Sequence, residues 1–363
     1  MAQETGKRKA DHIRICLEQK AQAKKATAGF EDIQLVHRAL PEVDRKKINL
    51  STIFLGKKLS APLIVGAMTG GTEEATKINS SIAEAVEKLG LGMGVGSQRA
   101  ALEHQKLEKT YKVAREKAPS ALLIANIGGV QLVHGYSLKE VKAAVEMIDA
   151  DALAVHLNAV QEALQPEGQT NFKGILAKIT EVAGELDVPV IVKETGCGIA
   201  AEDAKALEAA GVKAIDVAGL GGTSFAAVEY YRSTNRKNMN EALWDWGIPT
   251  AASVVEVTQT VKIPVIASGG IRSGLDIAKS LALDASLASV CQPVLEAADK
   301  SSSETEQLLS GYVDQLRDVM FLVGVESLQA LMEVPVVIGG KTAEWLNTRG
   351  FKIATYAQRS TIT

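Results

Sequence analysis

Aromatic residues are scarce in this chain, since Phe, Tyr and Trp together make up 4% of its 363 residues. Ala, Val, Ile and Leu are plentiful instead, a balance that favours helices packed on a tight sheet over an all-β sandwich. Cysteine is also rare: the three cysteines are scattered without metal-binding spacing, which indicates a reducing, cytoplasmic compartment. No apolar run approaches the ~18 residues of a membrane span, and the polar N-terminus argues against a secretory signal. We therefore expect a cytoplasmic protein without a membrane partner.

A strong excess of charge is absent as well. The net charge is −3, which argues against the large basic footprint of a nucleic-acid-binding protein. Basic residues nevertheless collect near the N-terminus, at residues 7–9 and at Lys24 and Lys25. They could form a solvated arm or bind a small anion. With 46% hydrophobic residues the chain can build a sizeable core, either as two domains or as one barrel with extensions.

Short apolar runs recur along the chain, each followed by Gly or polar residues and then, in most cases, by a helical pattern. Their spacing, roughly 25 to 40 residues, fits one strand, one helix and two loops per unit. Eight such units predict an α/β fold, a (β/α)8 TIM barrel. A doubly wound sheet is the alternative, but it would normally carry G-x-G-x-x-G after its first strand, and none follows Gly70 and Gly71. The runs are residues 63–68, 92–96, 122–127, 152–157, 190–192, 214–217, 265–267 and 287–290.

The barrel pattern leaves a segment on either side. We expect an N-terminal extension with a basic arm over residues 1–60, the barrel over residues 61–300, and C-terminal helices as a cover over residues 301–363. The cover is expected to be helical because residues 304–323 are strongly amphipathic, and the Ser-rich residues 299–303 mark the expected break.

Residues 152–162 form the most informative segment. An apolar run typical of a buried parallel strand is followed by His156, Asn158, Gln161 and Glu162. Proteins of the α/β class build their sites from polar groups at the carboxyl ends of such strands. A neutral amide beside a carboxylate suits a diphosphate and the hard cation that accompanies it.

Residues 268–274, Ser-Gly-Gly-Ile-Arg-Ser-Gly, carry the clearest phosphate signal. Paired glycines let backbone N–H groups approach an anion, and the following helix presents its positive end. Barrels often bind phosphate with the loops after the seventh and eighth strands. Polar or small residues also end nearly all of the remaining strands. This pattern is typical of a site for a large, planar, phosphorylated cofactor. Flavin mononucleotide (FMN) fits better than a dinucleotide because one phosphate loop is present.

Several motifs, in order along the chain, resemble type 2 isopentenyl-diphosphate delta-isomerase. The match runs from about residue 6 to Gly350 with ordinary loop lengths, and the motifs after the second and fourth strands are the most specific. The motifs are Arg8-Lys9 with His12, and residues 68–71, 94–99, 156–162, 192–194, 245–252 and 268–274.

The resemblance implies an FMN-dependent enzyme that interconverts isopentenyl and dimethylallyl diphosphate without net redox change. It also implies a reduced FMN, NADPH as the reductant, Mg²⁺ held by Glu162, and a homotetramer or homo-octamer. The FMN contacts that it implies are Ala67, Met68, Thr69, Ser97, Asn126, Lys193, Thr223, Gly270, Ile271, Arg272, Cys291 and Gln292. The substrate contacts that it implies are Arg8, Lys9, Ser97, Gln98, Arg99 and Gln161.

The reaction adds a proton to one alkene carbon and removes another from an allylic carbon. Asn158 and Gln161 would form a neutral wall that, with an electron-rich reduced flavin, stabilises a cationic intermediate. The resemblance assigns the proton transfers to flavin N5, whereas Gln161, Lys193 and Glu229 are the candidate catalytic side chains. Glu229 could instead be a surface carboxylate on its helix.

Other reactive side chains have structural alternatives. His12 and His156 are candidate substrate contacts, although a histidine near a strand can also be structural. Cys197 follows the fifth strand, where a nucleophilic thiol would suggest a different enzyme. No base motif accompanies it, so we expect a structural cysteine.

The sequence departs from the family's pattern at two places. Ala218 stands where relatives often have Ser, which removes one hydroxyl near the flavin. At the eighth strand Asp284 replaces a turn Gly, while Ser289 and Val290 replace Gly and Met. These changes bear on FMN affinity more than on the fold. Two other functions therefore stay open: an FMN-dependent barrel dehydrogenase or oxidase, and a barrel that binds a phosphorylated ligand without catalysis.

Overall fold

Eight parallel strands close into a barrel in the computed structural model, which describes residues 2–19, 21–233 and 241–360. The strands follow one another around the barrel in chain order, and the last strand, Leu287–Val290, pairs with the first, Leu63–Val65, to close it. The predicted TIM barrel is confirmed, with a strand in each of the eight apolar runs. The doubly wound alternative is wrong because the sheet has no open edge. The barrel strands are β4 Leu63–Val65, β5 Gly92–Gly94, β6 Leu122–Gly128, β7 Ala152–His156, β8 Val190–Lys193, β9 Ala214–Asp216, β10 Val265–Ser268 and β11 Leu287–Val290.

Helices surround the barrel, and local sequence signals set their ends. The second helix, for example, begins after Thr72, whose Oγ1 accepts a hydrogen bond from Ala75 N, and ends at Gly90 in the left-handed region. The helices are α1 Ala2–Glu18, α2 Glu73–Leu89, α3 Arg99–Glu103, α4 Lys109–Lys117, α5 Gly129–Val133, α6 Leu138–Met147, α7 Ala159–Leu164, α8 Ile175–Glu185, α9 Ala201–Ala209, α10 Phe225–Arg232, α11 Thr250–Thr258, α12 Gly274–Ala282, α13 Gln292–Lys300, α14 Ser302–Leu322, α15 Leu328–Met332, α16 Gly340–Thr348 and α17 Ala354–Ala357.

The core has two layers because side chains of a strand alternate between its faces. In β4, Ile64 points into the barrel and packs with Ile124 and Ile191, whereas Leu63 and Val65 face the helices. The antiparallel hairpin of β2 Thr52–Phe54 and β3 Lys57–Leu59 directly precedes β4, and two of its side chains join the inner cluster. The hairpin therefore covers the amino end of the barrel, which leaves the carboxyl end for the site.

The segments on either side of the barrel pack against it. The basic arm belongs to α1, which contacts α3, α10 and α13. Near the C-terminus, α14 packs on α2, α12 and α13, while strand β12 Val336–Ile338 pairs antiparallel with β1 Ile33–Leu35. Helix α13 ends at Lys300 and α14 begins at Ser302. The division of the chain at residues 60 and 300 stays a prediction.

Within the ranges that the structure describes, none of the helices is long and apolar enough to cross a membrane.

Candidate functional site

A cavity of about 250 Å³ opens at the carboxyl ends of the barrel strands, with α1 along one side. Because parallel strands end at the same rim, residues that are distant in sequence meet here. Most of the residues predicted from the sequence line this cavity. They are Arg8, Lys9, His12, Ala67, Met68, Thr69, Ser97, Arg99, Asn126, His156, Asn158, Gln161, Glu162, Lys193, Thr223, Gly270, Ile271, Arg272, Cys291 and Gln292.

Two predicted site residues do not line the cavity. Gln98 is fully buried: its Nε2 donates to the carbonyl of Ala144 (2.7 Å), and its Oε1 accepts from Asn126 N (2.8 Å). It therefore fixes the end of β6 and has no free group for substrate. Glu229 is also buried, and its carboxylate bonds His12 and Arg232. The alternative that Glu229 is a surface carboxylate is thus wrong. Glu229 contacts His12, and it is His12 that lines the cavity.

Three cations converge on one side of the cavity. Arg8 and Lys9 reach it from α1, and Arg99 reaches it from the start of α3. Lys9 Nζ donates to the carbonyl of Ser97 (2.6 Å) and to Tyr111 Oη (2.5 Å). Burial lowers the pKa of Lys9 to about 7, and Arg8 and Arg99 add to this effect. Such a cluster is suited to a polyanion, which would offset the repulsion among the three groups.

A network of amides surrounds the buried carboxylate of Glu162. Its Oε1 accepts from Asn158 Nδ2 (2.9 Å), and its Oε2 accepts from Gln165 Nε2 and Gln169 N (both 2.7 Å). Asn158 Nδ2 also donates to Gln161 Oε1 (3.0 Å). A carboxylate offers about four acceptor positions, so these bonds leave about one for a cation. Asn158 Oδ1 and Gln169 Oε1 are buried oxygens without a hydrogen-bond partner in the described part of the chain. The donor set therefore fits one hard cation such as Mg²⁺.

His156 ends β7 as a neutral imidazole. Asn126 Nδ2 donates to the carbonyl of Val95, so its Oδ1 is turned to accept from His156 Nδ1 (2.9 Å). Burial lowers the pKa of His156 to about 3, and Lys193 and Lys9 contribute to the shift. His156 therefore adds no positive charge to the cavity near neutral pH.

Asp216 is a cavity residue that sequence reasoning missed. It ends β9 directly opposite Lys193 of β8, and its Oδ1 accepts from Ser268 Oγ and from Ala218 N (3.3 Å). Burial raises the pKa of Asp216, while Lys193 and the two hydrogen bonds lower it. The available signal was a carboxylate near the carboxyl end of an apolar run, where polar side chains of a barrel reach the site. Gln131, Gln165, Thr195 and Gly196 line the cavity as well and were also missed.

The loop after β10 forms a narrow, backbone-lined part of the cavity. Gly269 and Gly270 adopt φ of 99° and 75°, and a Cβ on Gly222 would lie 2.6 Å from Gly270 N. The loop leads into α12, where Ser273 Oγ accepts from Asp276 N. At the helix start the N–H groups of Arg272 and Gly274 already donate to Asp276 and Gln315. The backbone of residues 269–271, which lines the cavity before the helix, is therefore the part of this loop that suits a phosphate.

The neighbouring strand end completes a surface that fits FMN. Ser289 Oγ is buried there without a hydrogen-bond partner among the described residues. A Cβ on Gly66 would come within 2.7 Å of that oxygen and 2.5 Å of Cys291 Sγ, so glycine keeps this wall open. A phosphorylated planar ligand would meet backbone on one side and a free hydroxyl on the other. Ser289 thus supplies a polar group at this strand end.

Two further departures from the expected pattern, Asp284 and Ala218, place non-glycine residues in the left-handed region. Asp284 has φ of 71°, a conformation that favours Gly. Its carboxylate binds Arg359 through both oxygens (2.8 and 2.6 Å), which ties the C-terminal segment to this turn. Ala218 has φ of 37° at the cavity wall. The expected strain at Asp284 is therefore offset by an ion pair.

The three thiols are poorly suited to act as nucleophiles. Burial raises the pKa of Cys16 to about 12 and that of Cys291 to about 11, and it raises the pKa of Cys197 further. Since the thiolate is the reactive form, we expect none of them to attack a substrate.

Glu194 is a buried carboxylate directly after β8. Its Oε2 accepts hydrogen bonds from the successive backbone N–H groups of Thr195, Gly196 and Cys197. Burial raises the pKa of Glu194 to about 7, although these bonds and Lys193 lower it. The carboxylate holds the loop that brings Thr195 and Gly196 to the cavity wall.

This raised pKa predicts a stability contribution that falls as pH rises. A carboxyl with a higher pKa in the folded chain binds more protons when folded. Its contribution is therefore complete below 4.5, the ordinary value, and is lost as pH passes about 7. We expect Glu194→Gln to remove this loss, so that the variant gains up to about 3 kcal/mol over the wild type between about pH 5 and 7.5. Urea unfolding of both proteins measures the difference. Only the difference in stability between the two proteins tests the prediction, because His156 titrates in the opposite sense in both of them. A difference in stability that does not change with pH would contradict the prediction.

Comparisons with known proteins agree with this geometry. The model of the FMN-dependent dehydrogenase family matches residues 1–119 and 154–336. Isopentenyl-diphosphate delta-isomerase of Methanothermobacter thermautotrophicus is 52% identical over 97% of this chain and 99% of its own. That of Methanosarcina barkeri is 48% identical over 98% of each chain. The solved structure of mandelate oxidase has a TM-score of 0.62 over 93% of this chain and 98% of its own, at 20% identity, which shows a shared fold alone. The chain therefore belongs to the FMN-dependent dehydrogenase family and, within it, to the isopentenyl-diphosphate delta-isomerases.

Proposed function

We propose that this protein interconverts isopentenyl and dimethylallyl diphosphate at a bound, reduced FMN, with Mg²⁺ on the diphosphate. One observation carries the proposal: the same cavity is lined by a glycine loop suited to a phosphate and by a group of basic side chains from α1 and α3. The glycine loop after β10 suits the FMN phosphate, whereas Arg8, Lys9 and Arg99 form a cationic region. Glu162 lines the same cavity and would share the Mg²⁺ with the diphosphate oxygens.

The protein's own side chains would bind and orient the substrate. Arg8, Lys9 and Arg99 hold the diphosphate, and α1 helps to keep water from the reacting carbons. Asn158 and Gln161 present neutral amides that tolerate positive charge on the alkene. A bound reduced FMN would supply an electron-rich ring and a nitrogen that can exchange a proton.

Lys193 and Glu229 have different roles in this proposal. Lys193 lines the cavity beside Asp216 and would contact the flavin ring. Glu229 acts through His12, whose Nε2 lies 2.8 Å from its Oε1, and thus orients a cavity residue without touching the substrate. NADPH as the reductant, a cytoplasmic location and a homotetrameric or homo-octameric assembly stay predictions.

The test of this function is direct. Purified protein is examined for flavin absorption and then assayed for exchange of label between the two diphosphates with FMN, NADPH and Mg²⁺. Exchange without net NADPH consumption supports the isomerase. Bound flavin without exchange would overturn it, and stoichiometric oxidation of a small acid would favour the dehydrogenase or oxidase alternative.

The lowered pKa of Lys9 predicts that diphosphate binding depends on pH. A bound diphosphate favours the ammonium form, so the pKa of Lys9 rises from about 7 and the complex takes up a proton. Affinity for inorganic pyrophosphate should therefore fall, by up to about tenfold per pH unit, above about pH 7. Calorimetric titration in buffers of different ionisation enthalpy measures the proton uptake. Lys9→Met should lose it, and uptake that persists in this variant would contradict the assignment.

A further inference from the structure

A continuous chain of three ion pairs and one histidine–carboxylate hydrogen bond links two cavity residues of α1 through the barrel rim. Arg8 Nη1 lies 3.5 Å from Glu167 Oε1, and Glu167 Oε2 lies 2.8 Å from Arg232 Nη2. Arg232 Nε then lies 2.6 Å from Glu229 Oε2, and Glu229 Oε1 lies 2.8 Å from His12 Nε2. The chain begins and ends on α1, whereas its middle members belong to α10 and to the loop after α7.

The links of this chain differ in strength. The Glu229 side chain has no exposed surface, and that of Arg232 is 15% exposed, so the bond between them is shielded from water. The Glu167 side chain is 42% exposed, and its contact with Arg8 is the longest of the four. Exposed pairs of this kind are weak, because water screens the charges and the side chains lose conformational freedom on pairing. The contact between Arg8 and Glu167 is therefore the one that a competing anion can replace.

Glu167 is an effective counter-ion at neutral pH. Partial burial by itself raises its pKa, but the hydrogen bond from Arg232 and the charges of Arg232 and Arg8 lower it below the ordinary value. The Arg8 guanidinium, 14% exposed at the cavity wall, is thus paired with a carboxylate of the same chain.

We propose that Glu167 is an internal competitor of the substrate: it holds Arg8 until the diphosphate takes over the guanidinium. The inference rests on the proposed function, since it requires a diphosphate at the cationic side of the cavity. A diphosphate carries more charge than a carboxylate and accepts the planar guanidinium through two oxygens. Arg232 stays on Glu167 Oε2, so the carboxylate keeps a partner after Arg8 has moved. The contact between Arg8 and Glu167 must break before the diphosphate binds, which lowers the affinity for the diphosphate. The same contact keeps Arg8 from binding weaker anions.

The competition predicts that removal of the Glu167 charge tightens diphosphate binding. In the flavin-loaded enzyme, Glu167→Gln should lower the Kd of inorganic pyrophosphate about two- to fivefold at fixed pH and ionic strength. Glu202→Gln is the matched control, because Glu202 pairs with Arg349 (2.7 Å) and does not line the cavity. It changes the net charge equally and should leave the Kd unchanged. Flavin content and unfolding curves establish that each variant is folded.

A double-mutant cycle shows whether the effect passes through Arg8. In an Arg8→Ala background, Glu167→Gln should no longer tighten binding. Equal tightening with and without Arg8 would mean simple repulsion of the anion and would overturn the proposal. Weaker binding by Glu167→Gln alone would mean that Glu167 positions Arg8, which also overturns it. A wild-type enzyme that binds no pyrophosphate would contradict the proposed function itself, whereas binding that Glu167→Gln leaves unchanged would contradict the competition alone.

Discussion

Replacing Glu162 by glutamine is expected to raise the Mg²⁺ concentration for half-maximal isomerase activity by at least about tenfold, while FMN stays bound. The substitution removes the one carboxylate charge of the amide network around this position, and an amide oxygen is a weaker partner for a divalent cation. FMN binding should be unaffected because the hydrogen-bond partners of Glu162 are Asn158, Gln165 and Gln169, none of which is assigned to the flavin. Mg²⁺ titrations of activity, with flavin absorption read in the same samples, measure both effects.

The Glu162→Gln variant should fold, although it changes a buried network. Both carboxylate oxygens accept N–H donors, so the new NH₂ group meets a donor on either side, at a cost of about 1–3 kcal/mol if nothing adjusts. Asn158 can relieve this by turning its amide, because its Oδ1 has no hydrogen-bond partner in the described ranges. Glu181→Gln is the control, since this carboxylate pairs with Lys178 on α8 and does not line the cavity. An unchanged Mg²⁺ requirement in Glu162→Gln would reject Glu162 as the ligand.

Gly270→Ala is expected to lower FMN affinity by about tenfold or more. Residue 270 has φ of 75°, a backbone conformation in which a Cβ costs about 1–2 kcal/mol. If the loop must adopt this conformation to bind FMN, that cost is subtracted from the binding free energy, and each 1.4 kcal/mol lowers the affinity tenfold. The added Cβ would also lie 2.7 Å from the carbonyl oxygen of Gly221 and 2.8 Å from Ala28 Cβ. Since backbone and not a flexible side chain is in the way, the loop after β10 must shift. Fluorescence titration of the apoprotein with FMN measures the affinity.

A second glycine in the chain provides the control for Gly270→Ala. Gly184 lies within α8, and a Cβ there would have no neighbour within 4 Å. Gly184→Ala should therefore leave FMN affinity unchanged and stabilise the protein by about 0.5–1 kcal/mol, because alanine is the better helix former. Equal FMN affinity in the wild type and in Gly270→Ala would show that this loop does not hold the flavin phosphate.

Much of the barrel could be predicted because its signals are local. An apolar run that ends in Gly or polar residues identifies a buried parallel strand from a few residues, and the helical period between runs does the same for the helices. The predicted strand at residues 152–157 contains β7, Ala152–His156, and His156 stands at its end as expected. In a closed parallel barrel the ends of these strands must share one rim, so a candidate at each strand end also places most of the site.

The direction of individual side chains could not be predicted in the same way. Ser97, Gln98 and Arg99 are consecutive, yet the first and third line the cavity while Gln98 turns inward to Ala144 and Asn126. These residues form the turn that leads from β5 into α3, where Gln98 has φ of −82° and ψ of 4°. The course of that turn, which depends on packing against β6 and α6, decides which side chains face the site.

Local sequence was therefore enough to predict the fold class and to single out the glycine loop after β10 and the acidic and amide residues after the fourth barrel strand, because each depends on residues close together in the chain. Only the tertiary structure decided which charges face one another. It set Asp216 beside Lys193, buried Glu229 behind His12, and brought Glu167 to Arg8 across a separation of more than a hundred residues. Pairings of this kind depend on how α1 packs across the rim of the finished barrel, and no short stretch of sequence encodes that contact.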